Sequence, residues 1–203
     1  MIPIQNIYYM LSYAFQVLNE QCYKNIATEQ FNNTGELMAA ILEKGIAIQI
    51  KRGLGKEYIL QTEALSSLQG KIDIAESIKT QSMLRKQLIC TYDEFSVNSI
   101  MNRIIKSTVE LLLRSNISKQ RKKNLRKLMV YFSEVDFIDL YTVNWNVQYN
   151  RNNQTYRMLI SICYLVVKGL LQTQSNGHTK LMDFLDEQRM CRLYEKFILE
   201  YYR

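Results

Sequence analysis

The sequence predicts an α+β fold, mostly helical, with a small β-sheet or partial barrel embedded around residues 56–95. Three observations carry this reading. Apolar residues recur every three or four positions through most of the chain, the spacing of helices with one buried face. Between residues 57 and 95 that period gives way to alternation, the mark of short strands. Pro occurs once, at Pro3, and Gly seven times, too few for the turns of an all-β sandwich or for long linkers.

The elements follow in order. Ile4, Ile7, Tyr8, Leu11, Ala14, Phe15 and Leu18 form a helical stripe. Pro3 stands at its entrance, where a missing N–H costs nothing. The stretch "TGELMAAILEKGIAIQIKRGL" predicts a second helix over about 35–52, capped by Thr34 and closed near Gly53. Alternation predicts strands at 57–63, 69–74 and 87–95. Val97, Ile100, Met101, Ile104, Ile105, Val109, Leu112 and Leu113 then make one helix face, with Ser96 as its N-cap. Asn102, Arg103, Lys106, Ser107 and Glu110 lie off that face. A further helix covers about 118–133, and residues 134–150 are expected to hold at most one strand. The segment Met158–Leu171 has about 14 residues and is interrupted by Lys168, whereas a membrane span needs roughly 20. It reads as a core helix. A last stripe, Met190, Leu193, Tyr194, Phe197, Ile198 and Tyr201, has no closing Gly or Pro. That helix either ends free in water or leads into a longer chain.

The chemistry is informative mainly for what is missing. A chain of 203 residues, 47% apolar and 22% charged, suits a globular protein that needs no disulfide or metal staple. Cys22, Cys90, Cys163 and Cys191 contain no CxxC and no zinc spacing. With no signal peptide, such scattered thiols fit a reducing cytoplasm. The single histidine, His178, reads as part of a surface turn. A phosphate-binding loop is excluded: at the Gly70–Lys71 pair, Leu65 and Ile72 stand where Gly and Ser/Thr are required, and at Gly55–Lys56 those positions hold Ile50 and Glu57. A PD-(D/E)xK nuclease places an acid two residues before a lysine, and no lysine here has one. Asp93 and Glu94 are adjacent, so on a strand they face opposite ways and make no carboxylate pair. Asp93 is read instead as a cap or turn residue ahead of the following helix.

The formal charge of +7 favours contact with polyanions. Its densest part is "KQRKKNLRK", with Lys119, Arg121, Lys122, Lys123, Arg126 and Lys127. This is either a phosphate-contacting helix face or a solvated helix with Leu125 and Leu128 turned inward. Residue by residue, the chain is a basic, helix-rich protein without a complete catalytic site, which favours a binding or regulatory module over an enzyme.

Several segments, taken in order, resemble one family. "IPIQNIYYMLSYAF" (2–15), "EKGIAIQIKRGL" (43–54), "GKIDIAESI" (70–78), "NRIIKST" (102–108), "LISIC" (159–163) and "LYEKFILEYYR" (193–203) are similar to the N-terminal part of McrC. McrC is a subunit of the 5-methylcytosine-dependent restriction system. The resemblance implies a region (mixed helical and β over about 1–95, helical over about 96–203) that docks on a ring-forming McrB-type GTPase and stimulates GTP hydrolysis. It further implies that a C-terminal PD-(D/E)xK nuclease domain, absent from these residues, follows the last helix. No cofactor is then expected in this chain. Mg and GTP belong to the full complex, DNA is met through that complex, and no membrane is involved. Arg52, Arg103 and Lys106 sit in matching segments as candidate contacts to the ring or to DNA, beside the basic run. A stand-alone basic DNA-binding module and a non-catalytic adaptor are the alternatives.

Overall fold

A computed structural model describes residues 4–15, 18, 23–149 and 155–171. The chain divides into two compact units. One is built from the chain up to Leu54 together with the chain from Ile100 onward, and the other is Gly55–Ser99.

In the first unit the helices are α1 (Ile4–Ala14), α2 (Lys24–Thr28), α3 (Thr34–Arg52), α5 (Ile100–Arg114), α6 (Lys119–Met129) and α7 (Tyr156–Leu171). α3 is the axis. Leu37, Met38, Ala39, Ala40, Ile41, Leu42 and Ile46 are all buried on it, because α1, α2, α5, α6 and α7 each pack against some part of its circumference. Gly45 lets α7 approach: a Cβ there would stand 2.4 Å from Leu159 Cδ2 and 3.1 Å from the Tyr23 hydroxyl. The cap of α3 is Asn33, whose side chain accepts from the Glu36 N–H at 2.8 Å. Thr34, expected as the cap, is instead the first helical residue and is buried.

α7 supplies the other half of the core through Met158, Leu159, Ile160, Ile162, Cys163, Val166 and Val167. Burial holds the Cys163 thiol at a pKa of about 12, against a smaller opposite pull from its hydrogen bond with Thr108. It is a packing residue, not a nucleophile. No helix among the described residues is long and apolar enough to cross a membrane.

Residues 134–149 pair with no strand among the described residues. Some of their backbone groups bond to side chains of α5 instead: the Ile138 N–H donates to Ser107 Oγ at 2.9 Å, and Val135 O accepts from Lys106. Val135, Leu140 and Val143 anchor the segment by burial, and Trp145 meets the Tyr164 ring edge-on at 5.3 Å. α5 is therefore covered on two sides, by α7 and by this segment. This explains why Asn102 and Ser107, off the expected apolar face, are buried. Asn102 Oδ1 accepts from the buried Tyr156 hydroxyl at 2.8 Å.

The second unit is a three-stranded antiparallel sheet in the order β1–β3–β2, with β1 at Glu57–Leu65, β2 at Lys71–Asp73 and β3 at Leu88–Ser96. α4 (Ile74–Lys79) and a 3₁₀ turn at Ser82–Arg85 connect β2 to β3. Asp73 caps α4 by accepting from Glu76 N–H. Ser77 is buried because its hydroxyl donates to Asp73 O and accepts from the Ile89 N–H, tying α4 to the sheet. Gly70 lies at φ +62 with Thr91 O only 2.4 Å from where a Cβ would be, so no other residue fits this turn. The Gly70–Lys71 pair thus serves a tight turn. Ser96, expected to cap α5, ends β3 opposite Glu57, and Asp93 lies inside β3 opposite Leu60 rather than at a cap. The strand extends because its pairing with β1 continues unbroken to Ser96. His178, Cys22, Cys191 and the terminal helix of the sequence reading fall outside the described residues.

Candidate partner and nucleic-acid interface

The sequence-derived candidates separate into three groups. Arg52 stands exposed in the last turn of α3 beside Lys51, where a cation also favours the helix end.

Arg103 and Lys106 look inward to the segment after α6. Lys106 Nζ donates to Phe132 O at 2.9 Å and Val135 O at 2.5 Å, and lies 4.7 Å from the centre of the Phe137 ring. Arg103 donates to Phe137 O at 3.4 Å, while its Nε is buried with no hydrogen-bond partner. The "NRIIKST" motif is therefore a set of anchors: Asn102 holds α7, and Arg103, Lys106 and Ser107 hold residues 132–138. Lys106→Met keeps the stem but strips Val135 O of its donor and leaves Phe132 O only the Val135 N–H, so a loss of about 2 kcal/mol is expected. Calorimetry would read it as a Tm lowered by roughly 4–8 °C. An unchanged Tm would mean that Phe132 and Val135 hold the segment by burial alone.

α6 carries the third group. Ser118 caps it, accepting from the Arg121 N–H, and Ser118 in turn donates through its N–H and hydroxyl to Glu36 at 2.9 and 2.6 Å. Arg121 spreads its guanidinium over three carboxylates: Glu43 at 2.9 Å, Glu29 at 2.8 Å and Glu36 at 3.7 Å. Asn124 adds a hydrogen bond to Glu43 at 2.9 Å. Burial works against the Arg121 charge, but the hydrogen bonds to Glu43 and Glu29 outweigh it and raise the pKa above the ordinary arginine value. Arg121 is thus an internal clamp. Lys119, Lys123, Arg126 and Lys127 are exposed, and Lys122 is half-buried. Cations three and four positions apart repel, at about 0.2–0.5 kcal/mol per pair, and α6 contains no acid to offset them.

Sequence reasoning missed a further surface. Eight of the fifteen large apolar side chains exposed among the described residues belong to Gly55–Ser99: Tyr58, Leu60, Leu68, Ile74, Ile78, Met83, Leu84 and Phe95. Tyr58, Leu60 and Phe95 share one face of the sheet, since Tyr58 pairs with Phe95 and Leu60 with Asp93. The Tyr58 and Phe95 rings lie 4.9 Å apart. Leu84, 82% exposed, sits on the 3₁₀ turn between Gln81 and Lys86, both in the left-handed region at φ 53 and 58. Such a conformation costs a non-glycine residue on the order of 1 kcal/mol. Strain of this kind that holds apolar side chains out to water is a mark of a binding surface. Two half-apolar faces on β1 were the available signal.

Among the described residues no three His, Cys, Asp or Glu side chains converge to hold a metal ion. Glu29, Glu36 and Glu43 share the Arg121 guanidinium.

Residues 5–203 match the family described as McrBC 5-methylcytosine restriction system component. The Type IV methyl-directed restriction enzyme EcoKMcrBC of Escherichia coli (strain K12) is 29% identical over 205 residues, which cover 100% of this chain and 59% of that protein. The cryo-EM structure of the Thermococcus gammatolerans McrBC complex superposes with a TM-score of 0.65 at 20% identity, over 98% of this chain and 57% of the matched one. A refined half-complex from the tetradecameric assembly of Thermococcus gammatolerans McrB AAA+ hexamers with bound McrC gives 0.60 at 20% identity, over 95% and 46%. At that identity the two structures establish a shared fold. The chain spans about half the length of the relatives it matches. With the family match covering nearly every residue, the chain belongs to the McrBC 5-methylcytosine restriction system component family.

Proposed function

We propose that this chain is an McrC-type, non-catalytic component that docks on an McrB-type GTPase ring and stimulates its GTP hydrolysis. The observation that carries the reading is the exposed apolar surface of Gly55–Ser99. Open apolar patches on an otherwise well-buried fold are protein-docking surfaces. One solved relative of the same fold is described as McrC bound to McrB AAA+ hexamers. DNA cleavage is assigned outside these residues, because no lysine of the chain is preceded at two positions by an acid. Mg and GTP would then act in the full complex and at the partner, with no resident cofactor here. The reading includes a cytoplasmic site of action, a compartment that keeps thiols such as Cys90 and Cys163 reduced.

The test is GTP turnover by an McrB-type protein from the same source, with and without the purified chain. A several-fold rise in turnover is the expected result. No rise, with the chain folded and the GTPase active, would move stimulation out of these residues.

A further inference from the structure

We propose that the outward face of α6 binds the phosphate backbone of duplex DNA. α6 divides by charge. Arg121, Asn124 and Leu125 turn toward α3 and its carboxylates. At 3.6 residues per turn, Lys119, Lys122, Lys123, Arg126 and Lys127 fall on the opposite side. None of the five has a carboxylate within ion-pair distance among the described residues. The acids that would have neutralised them, Glu29, Glu36 and Glu43, are drawn underneath the helix and consumed by Arg121. Folding therefore leaves a uniformly positive face whose mutual repulsion nothing in the described chain relieves.

The geometry of that face narrows its partner. From Lys119 to Lys127 the helix rises about 12 Å, against one phosphate per about 3.4 Å of axis on each DNA strand. The face thus spans about three to four phosphates. It carries no aromatic side chain to stack on unpaired bases, as single-strand binders do. Its apolar side is already packed on α3, so it has nothing to insert into a lipid surface. Lysine and arginine contacts to phosphates fix position without reading sequence. This face therefore serves to hold DNA, leaving recognition of the modified base to another part of the system. The choice of duplex DNA among polyanions rests on the restriction-family reading above.

The experiment measures binding of the chain alone, without any GTPase, to an unmodified 30-base-pair duplex by fluorescence anisotropy at 50–200 mM salt. The comparison is with the variant K119Q/K123Q/R126Q/K127Q, which removes repulsion and so leaves the helix intact. The wild type is expected to show a salt slope of about −3 to −4. The variant should bind at least tenfold more weakly at 50 mM, with a slope near zero. A second variant with the same charge change elsewhere, K51Q/K71Q/R85Q/K86Q, should keep most of the affinity. Absence of wild-type binding, equal losses in the two variants, or equally tight binding of poly-glutamate would overturn the proposal. Because no ring is present, failure here leaves the GTP-turnover result standing, and failure of that result leaves this one readable.

Discussion

Arg121→Met is expected to cost about 3 kcal/mol of stability, a Tm lower by roughly 6–12 °C. The substitution keeps most of the side-chain volume and removes the only cation that reaches Glu36 and Glu43 among the described residues. Those carboxylates are 13% and 21% exposed, so water replaces the lost partner poorly. Ser118 and Asn124 still donate to them, but neutral donors do not offset two facing negative charges. Arg121→Lys should fall between, since an ammonium cannot span three carboxylates as the guanidinium does. Adding Glu43→Gln to Arg121→Met should recover at least about 1 kcal/mol by removing the stranded charge. A loss no larger for Met than the few tenths typical of a surface residue would show that α6 is held to α3 by Leu125 and its apolar neighbours.

How much of this was legible in the sequence depends on the range of the interaction. Strands and helices set by local periodicity were found nearly to the residue: 57–63, 69–74 and 87–95 became Glu57–Leu65, Lys71–Asp73 and Leu88–Ser96. The cap of α3 slipped by one because Asn33 and Thr34 are both good caps and only geometry chooses between them. The polar side chains of α5 and α6 were harder. Lys106 reaches across 29 residues to Val135, and Arg121 across 78 and 92 to Glu43 and Glu29. No local pattern announces a partner at that distance, so an internal clamp and a solvent-facing cation look alike in "KQRKKNLRK". The sheet gave the converse difficulty. β1 has an apolar residue on each face, Ile59 on one and Tyr58 with Leu60 on the other, and the period alone does not say which face is covered. The covered face turned out to be the one holding Ile72 and the fully buried Cys90.

The exposed apolar side chains of Gly55–Ser99 yield the prediction with the largest functional effect. Leu60→Lys places a cation directly opposite Asp93, so the sheet should tolerate or welcome it while the apolar surface is broken. Leu84→Asp changes a side chain that is already 82% exposed, so the fold has little to lose. Charges placed on a docking surface are left desolvated and unpaired in the complex. Together the two substitutions should weaken binding to the ring by at least tenfold, about 1.4 kcal/mol, with the Tm of the free chain nearly unchanged. The deciding measurement is the affinity of the wild type and of L60K/L84D for a GTP-loaded McrB-type ring. Tight wild-type binding that falls tenfold or more in the variant is the predicted result. Equal affinity of the two folded proteins, or no binding by the wild type, would contradict the assignment of Gly55–Ser99 as the docking unit.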